Sequence, residues 1–318
     1  MNSAKLTNGL PEKFLERLGR IIPGGHLASV TQTFSSQRKI SARINTLKAE
    51  RAQILGELGE RDIPYLPVPW SPEALRFPEE KQKDLNEWPA IQDGRVYIQS
   101  LSSMLAAQVL DCHPGERVLD LCAAPGSKTT QMAASMKNKG EIVCVENIKN
   151  RYYKLKSVVK LLGADIVRFY LTDGRKFRDT GPGFDRVLVD APCSSEGRFR
   201  SSQEKTFAYW SPRKIKEMVR KQRGLILNAS RMLKPGGVLV YSTCTFAPEE
   251  NEGVVDWLLR KTAGRLEVEP VSLEEIGRYP ALGEWEGRAY HPQVKYCFRV
   301  LPNEEMEGFF IAKIIRKS

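Results

Sequence analysis

Arg117-Val118-Leu119-Asp120-Leu121-Cys122-Ala123-Ala124-Pro125-Gly126-Ser127-Lys128-Thr129-Thr130 is the stretch that decides the fold. Residues 117–121 read as a short apolar strand and 127–136 as the helix after it. Between them lies a turn of small residues that closes on Pro125-Gly126. Small side chains let backbone amides approach a ligand, and the helix N-terminus adds positive potential. Open parallel sheets bind ligands beyond the C-terminal ends of their strands, where this turn would sit. The turn has neither the Gly-x-Gly-x-x-Gly of a dinucleotide site nor the Gly-Lys-Ser/Thr of a phosphate-binding loop. A dinucleotide or ATP is therefore disfavoured.

Outward from this stretch the pattern alternates. Residues 141–146, 166–171, 184–190 and 238–243 read as further strands. Helices are expected at 151–162 and at 212–233, the second stopped by Pro235-Gly236-Gly237. Segments 265–270, 296–301 and 309–315 read as later strands, the last of them antiparallel additions. Near-continuous apolar strands separated by helices predict an α/β fold with a parallel sheet covered on both faces. The 318 residues allow two domains at about 150 residues each. Residues 94–318 are expected to form the sheet domain and 1–93 a small α+β domain. In the latter, 14–22 and 49–58 read as helices and 40–45 and 63–68 as strands. A proline-rich, charged stretch, 64–87, is expected to lead from one domain into the next.

Acids recur at the strand ends. Asp120 closes the first strand, and Glu146, 26 positions later, closes the second, where a carboxylate suits two ribose hydroxyls. Asp173 follows the third strand and is placed to accept from an adenine amino group; Asp190 closes the fourth. Singly, such acids are common in loops and helix caps. Together they suit a nucleoside without a phosphate, such as S-adenosylmethionine.

Two thiols sit at the same edge: Cys193 in Asp190-Ala191-Pro192-Cys193-Ser194 and Cys244 in Tyr241-Ser242-Thr243-Cys244-Thr245. A thiolate is strongly nucleophilic even as a minor species at neutral pH. Methylation of carbon 5 of a pyrimidine needs such a nucleophile beside a methyl donor. That carbon becomes reactive only after a thiolate adds to carbon 6. An acid near ring nitrogen 3 must stabilise the adduct, and Asp190 reaches the same pocket. The base must also leave its stack to enter. Cys112, Cys144 and Cys297 read as small buried hydrophobes, and Cys122 as serving the turn by its size.

Composition narrows the setting. The six cysteines include no Cys-x-x-Cys pair and there are only three histidines, so no metal site is expected. No apolar run reaches the ~18 residues of a membrane span, and residues 1–14 lack a signal-peptide stretch. A cytoplasmic protein with free thiols is expected. Residues 147–223 hold 19 Lys+Arg against 8 Asp+Glu, an excess that equals the net charge of the whole chain, +11. Such a region suggests a polyanion, and nucleic acid is the usual one.

The three motifs at 120–130, 190–194 and 241–245 together resemble the Nop/Sun family of RNA cytosine-5 methyltransferases. Gln99-Ser100-Leu101-Ser102-Ser103-Met104, Arg43-Ile44-Asn45-Thr46-Leu47, the 222–237 helix and turn, and Glu307-Gly308-Phe309-Phe310-Ile311-Ala312-Lys313 are also similar to family segments. The resemblance covers residue 43 to the C-terminus. It implies a class I methyltransferase fold, Rossmann-like, with a mostly parallel seven-stranded sheet and a small N-terminal domain often similar to an RNA-recognition fold. It implies S-adenosylmethionine as cofactor and ribosomal or transfer RNA as partner. Cys244 would form the covalent bond to cytosine, and Cys193 would assist release. Asp190 would support the ring with Lys128 close by. Cys122, Ala123, Ala124, Pro125, Gly126, Lys128, Glu146, Asp173 and Asp190 would hold the cofactor, and Arg151 matches a family arginine.

Two features depart from the family. Glu146 stands where many members carry Asp, and 284–294 reads as an insertion or variant loop. Three other readings compete. A DNA cytosine-5 methyltransferase shares the chemistry but uses the Pro-Cys thiol and carries a large recognition domain. A small-molecule methyltransferase does not explain paired thiols or the basic segment. A non-catalytic RNA-binding or ribosome-assembly factor would not need both thiols and Asp190. No feature specifies an oligomeric state.

Overall fold

The structure is a computed structural model that describes residues 9–36, 39–273 and 275–317. A four-stranded antiparallel sheet forms first, from β1 (Ile40–Ile44), β2 (Leu66–Val68), β3 (Ser71–Phe77) and β4 (Val96–Ile98), in the order β2-β3-β1-β4. The helix Arg51–Glu60 covers it with Ile54 and Leu58, whose i, i+4 spacing puts both on one face. Two expectations change here. The strand expected at 63–68 is present as β2, but the stretch 64–87 also contains the unexpected strand β3, because its prolines sit at strand ends and edges where no ladder hydrogen bond is lost. Strand β4 lies beyond the boundary expected at 93/94, since it completes the sheet by pairing with β1.

The second sheet has nine strands. Its parallel centre comprises β5 (Arg117–Asp120), β6 (Glu141–Glu146), β7 (Val167–Leu171), β8 (Phe184–Asp190) and β9 (Leu233–Thr243), in the order β7-β6-β5-β8-β9. Strands β10 (Leu266–Glu269), β11 (Arg278–Pro280), a separate hairpin of β12 (Glu284–Trp285) and β13 (Arg288–Ala289), β14 (Phe298–Val300) and β15 (Phe309–Arg316) follow. Strand β15 runs antiparallel beside β9. The count is nine rather than the expected seven because the place beyond β15 is shared by two short strands: β14 pairs with its first half and β10 with its second. Strand β11 then extends the edge by pairing with β14.

Strand side chains alternate between two cores, as a pleated ribbon requires. Val118, Ile142, Cys144, Leu188 and Val240 face one apolar cluster. Leu119, Val143, Val145, Val187, Val189, Leu239 and Tyr241 face the other. The helices Leu101–Leu110 and Ser127–Ser135 cover the first face, and Pro212–Met232 and Glu252–Thr262 the second. Pairing of β9 with β8 starts at Leu233 and resumes at Val238, so residues 234–237 bulge from within the strand rather than only precede it.

The amphipathic helix Glu12–Ile21 buries Phe14, Leu18 and Ile21. It does not pack on the N-terminal sheet. Its core partners are Phe34, Phe199 and Phe246, with the Phe14 ring 4.9 Å from that of Phe199. The described residues before 94 therefore divide into an arm packed against Phe199 and Phe246 and a sheet with its own core. That sheet is docked by buried polar groups from the 43–47 motif. Asn45 Nδ2 donates to the carbonyls of Gly94 (2.8 Å) and Leu162 (2.9 Å), and Arg43 Nη2 donates to Thr130 Oγ1 (3.2 Å). Among the described residues no helix is long and apolar enough to cross a membrane.

Candidate active site

The C-terminal ends of β5, β6, β8 and β9 open into a cleft of about 570 Å³. Strand β4 of the N-terminal sheet forms part of its wall through Tyr97 and Ile98. Cys122, Ala123, Ala124, Pro125, Lys128, Glu146, Arg151, Asp173, Asp190, Cys193 and Cys244 all line it, as does Asp120. Gly126 does not. Its φ of +110° suits glycine, and a Cβ there would lie 3.1 Å from Leu155 and 3.3 Å from Val158. Gly126 shapes the turn and lets the next helix pack closely.

Strands β8 and β9 end side by side, with Asp190 paired to Ser242. The following turns bring the Cys193 and Cys244 sulfurs to 3.3 Å. Both turns are bonded to each other. Gly197 N–H donates to the Cys244 carbonyl at 2.9 Å, and Ser194 and Thr245 hydroxyls meet at 2.7 Å. A Cβ on Gly197 would fall 2.3 Å from the Gly308 carbonyl, so only glycine permits this approach. Glu196, buried, accepts from Thr245 Oγ1, the Phe246 N–H and Trp210 Nε1. Glu250 accepts from Ser194 N–H (3.0 Å) and Gln222 Nε2 (2.7 Å), and Gln222 also donates to the Pro192 carbonyl. Burial pushes the Glu250 carboxyl up to about 8, and its Oε1 has no partner.

The six thiols are free and differ sharply. Burial pushes Cys112, Cys122, Cys144 and Cys297 up, which leaves them inert. Cys244 is drawn down to about 7, first by the hydrogen bond from Cys193 and then by the Arg198 guanidinium, against the opposing effect of burial. Cys193 moves the other way, because the anion on Cys244 holds its proton. Arg198 lines the cleft and is fixed by Glu307, 3.1 Å from its Nε. It acts on Cys244 more strongly than on Cys193.

Asp190 is held at both oxygens: Ser242 Oγ donates at 2.8 Å and Lys128 Nζ lies at 2.7 Å. Ser103 Oγ accepts from Lys128 at 2.9 Å. Asp120 lies deeper. Thr129 donates to its Oδ2, its Oδ1 is unpartnered, and burial raises its carboxyl to about 6. Glu146 Oε1 accepts from the amides of Asn147 and Ile148, both at 2.9 Å, while Oε2 lies 3.4 Å from Arg151. Arg151 also donates to the Ala124 carbonyl at 2.8 Å. Asp173 is gripped by Arg175 at 2.5 Å, which holds its carboxyl below the usual range.

A family model described as 16S rRNA methyltransferase RsmB/F matches residues 107–315. The chain belongs to this methyltransferase family. It is 43% identical over 281 residues to the tRNA (cytosine(49)-C(5))-methyltransferase of Pyrococcus abyssi, covering 86% of this chain and 87% of that one. It is 38% identical to ribosomal RNA small subunit methyltransferase F of Cronobacter sakazakii, covering 96% of this chain but 63% of the relative, which is thus considerably longer. A solved methyltransferase homolog protein from Pyrococcus horikoshii superposes with a TM-score of 0.83 at 30% identity, over 99% of this chain and 97% of that one. NSun6 from the same organism, solved with SFG, gives 0.82 at 26% identity, over 97% and 98%. The fold is thus that of a class I methyltransferase.

Several groups of the site lie outside the sequence expectations, Glu196 and Arg175 among them. Ser103 and Ser242 sit inside quoted motifs, so their nearness to the site is readable but not their hydrogen bonds. The acids and amide of Pro248-Glu249-Glu250-Asn251-Glu252, just after Thr-Cys, signal a polar cluster that includes Glu250. Arg198 carries no local signal; it reaches Cys244 only through the contact between the two turns.

Proposed function

We propose that this RNA cytosine-5 methyltransferase works through a covalent adduct on Cys244, with transfer RNA as its substrate. The paired sulfurs, 3.3 Å apart in one cleft with the Lys128–Asp190 pair, carry the reading. Cys244 adds as thiolate to carbon 6 of a cytosine turned into the cleft. The electrons of the 5,6 double bond move into the ring and make carbon 5 a nucleophile. Asp190, oriented by Lys128 and Ser242, acts in its protonated form: it gives its proton to ring nitrogen 3 as charge develops there and recovers it when the adduct collapses. After carbon 5 is methylated, its proton leaves to a base, the 5,6 double bond re-forms and Cys244 departs as thiolate. Cys193 assists that departure by hydrogen-bonding the outgoing sulfur.

The donor set suits S-adenosylmethionine, which supplies a methyl group on a sulfonium. Glu146 Oε2 would take ribose hydroxyls, Asp173 the adenine amino group, and the 122–125 turn the amino-acid portion. Orphaned Asp120 Oδ1 would accept a further donor. The archaeal relative solved with SFG, an analogue of this methyl donor, supports the assignment. Transfer RNA is favoured because the transfer-RNA relative matches nearly end to end, whereas the ribosomal-RNA relative is longer. A reducing, cytoplasmic setting keeps two sulfurs this close from joining as a disulfide.

The test uses two variants and an unmodified tRNA transcript. Cys244→Ala should abolish methyl transfer while donor binding persists. Cys193→Ala should accumulate an RNA–protein species stable on denaturing gels. Full activity of Cys244→Ala, or turnover by Cys193→Ala without such a species, would overturn the assigned roles.

A further inference from the structure

The helix Pro212–Met232 has two working sides. Lys221 and Leu225 line the catalytic cleft. Lys216, Arg220 and Arg223 line a separate groove of about 440 Å³, whose opposite wall is the variant 284–294 segment with Arg288 and Tyr290. Two carboxylates also border the groove, Glu249 and Glu286. Both are already engaged by Arg17, at 2.7 and 3.9 Å. Lys216 and Arg220 are exposed and have no carboxylate partner among the described residues. Arg223 stacks on the Trp257 ring at 5.4 Å, its Nε is buried without an acceptor, and Arg288 presses on it with like charge. Arg288 is bonded to Asp256, which Arg260 also holds. The groove is therefore a cluster of cations with its own acids used up. A solvated surface would spread such charges apart; this one gathers them in a concavity on the same helix that lines the cleft holding the two thiols.

We infer that this groove binds the phosphodiester backbone of the RNA substrate at nucleotides outside the cleft. The inference rests on the RNA methyltransferase reading above. Phosphates fit its chemistry: they offer acceptors to the free guanidinium and ammonium groups and relieve the repulsion between Arg223 and Arg288. A strand that leaves the cleft past Lys221 crosses one helix to reach Lys216 and Arg220. The 284–294 segment then has a role, as the far wall of a phosphate track.

The test compares the full chain with the Lys216→Gln/Arg220→Gln double variant, whose two side chains hold nothing in place. The probes are an unmodified tRNA transcript and a short single-stranded oligonucleotide carrying one target cytosine. For the transcript, affinity should fall about tenfold at low salt, and the slope of log affinity against log salt should shrink by about 1.5. Methylation should show a raised KM with unchanged kcat. Turnover of the short oligonucleotide and binding of S-adenosylmethionine should match the wild type. Equal affinity and salt slope for the transcript in both proteins would overturn the groove and leave the methyltransferase reading intact. A wild type that binds no RNA would remove both.

Discussion

The two ends of the cleft are built on different plans. At the thiol end, most charged and polar groups are buried or half-buried and bonded to one another before any substrate arrives. Glu196 has three donors, Glu250 has two, and Asp190 is held at both oxygens. At the donor end, acids are held by arginines that stand partly in solvent: Arg151 is 47% and Arg175 44% exposed. Buried networks are stiff because breaking any bond strands a desolvated group. Exposed ion pairs are weak and exchange partners readily. The thiol end is therefore fixed in advance, as the covalent attack proposed for Cys244 would require of atoms that must align. The binding end is poised to trade an internal cation for a ligand.

Loss of the thiol-end network should have the largest effect. Glu250→Ala leaves the Ser194 amide unpaired beside Cys193 and Gln222 with the Pro192 carbonyl alone. Stability should fall by about 1–3 kcal/mol, and kcat by about 100-fold as the sulfur pair loses its alignment. Thermal unfolding and single-turnover kinetics measure the two. Glu250→Gln should recover most of the activity. The same variant reads the protonation state. With its carboxyl raised to about 8, folded Glu250 binds a proton that the unfolded chain has released. Its contribution makes stability fall as pH rises from ~4.5 to ~8, then level off. Glu250→Gln should flatten that part of the Tm profile. An unchanged slope would mean that Glu250 is ionised in the folded protein.

Arg198 joins the two plans, since it belongs to the thiol loop but is half exposed. It favours the anion on Cys244, so its removal should raise that thiol. Iodoacetamide labelling of Cys244, followed by peptide mass spectrometry without RNA, should rise with a midpoint near 7 in the wild type. In Arg198→Met the midpoint should move up by about one unit, which slows labelling at neutral pH about fivefold. Arg198→Lys should restore most of it. An unmoved midpoint would leave the hydrogen bond from Cys193 as the sole activator.

The same contrast explains what can be read from the sequence. Strands β5, β6, β8 and β9 and the turns after them are legible because each carries its signal within a few residues. An apolar run ends in Asp120, Glu146, Asp190 or Thr243, and both sulfurs follow at once. Strands β10 and β14 fall within the expected segments 265–270 and 296–301, but β11 is not legible, since its three residues are too few to show a period. Strand β3 is hidden among prolines. The packing of the Glu12–Ile21 helix on Phe199 and Phe246 joins segments far apart in the chain, and no local pattern encodes it. Within the site, residue types can be read but pairings cannot. Glu146 and Asp173 are expected as open ligand acceptors; the fold gives one oxygen of Glu146 to two amides and covers Asp173 with Arg175.

That last pairing yields the smallest effect and the finest comparison of the two ends. If Asp173 must release Arg175 before it accepts an adenine amino group, the ion pair competes with the donor. Removing the competitor should then tighten binding. The gain is limited, because an ion pair this exposed contributes at most about 1 kcal/mol. Arg175→Ala should therefore lower the Kd for S-adenosylmethionine by about two- to fivefold, with kcat for RNA unchanged. Asp173→Asn should weaken binding, and the double variant should resemble Asp173→Asn alone, since the arginine acts only through the acid. Calorimetric titration of the four proteins closes the cycle. Weaker binding by Arg175→Ala would mean that Arg175 positions Asp173 for the ligand, and the donor end would then share the preorganised plan of the thiol end.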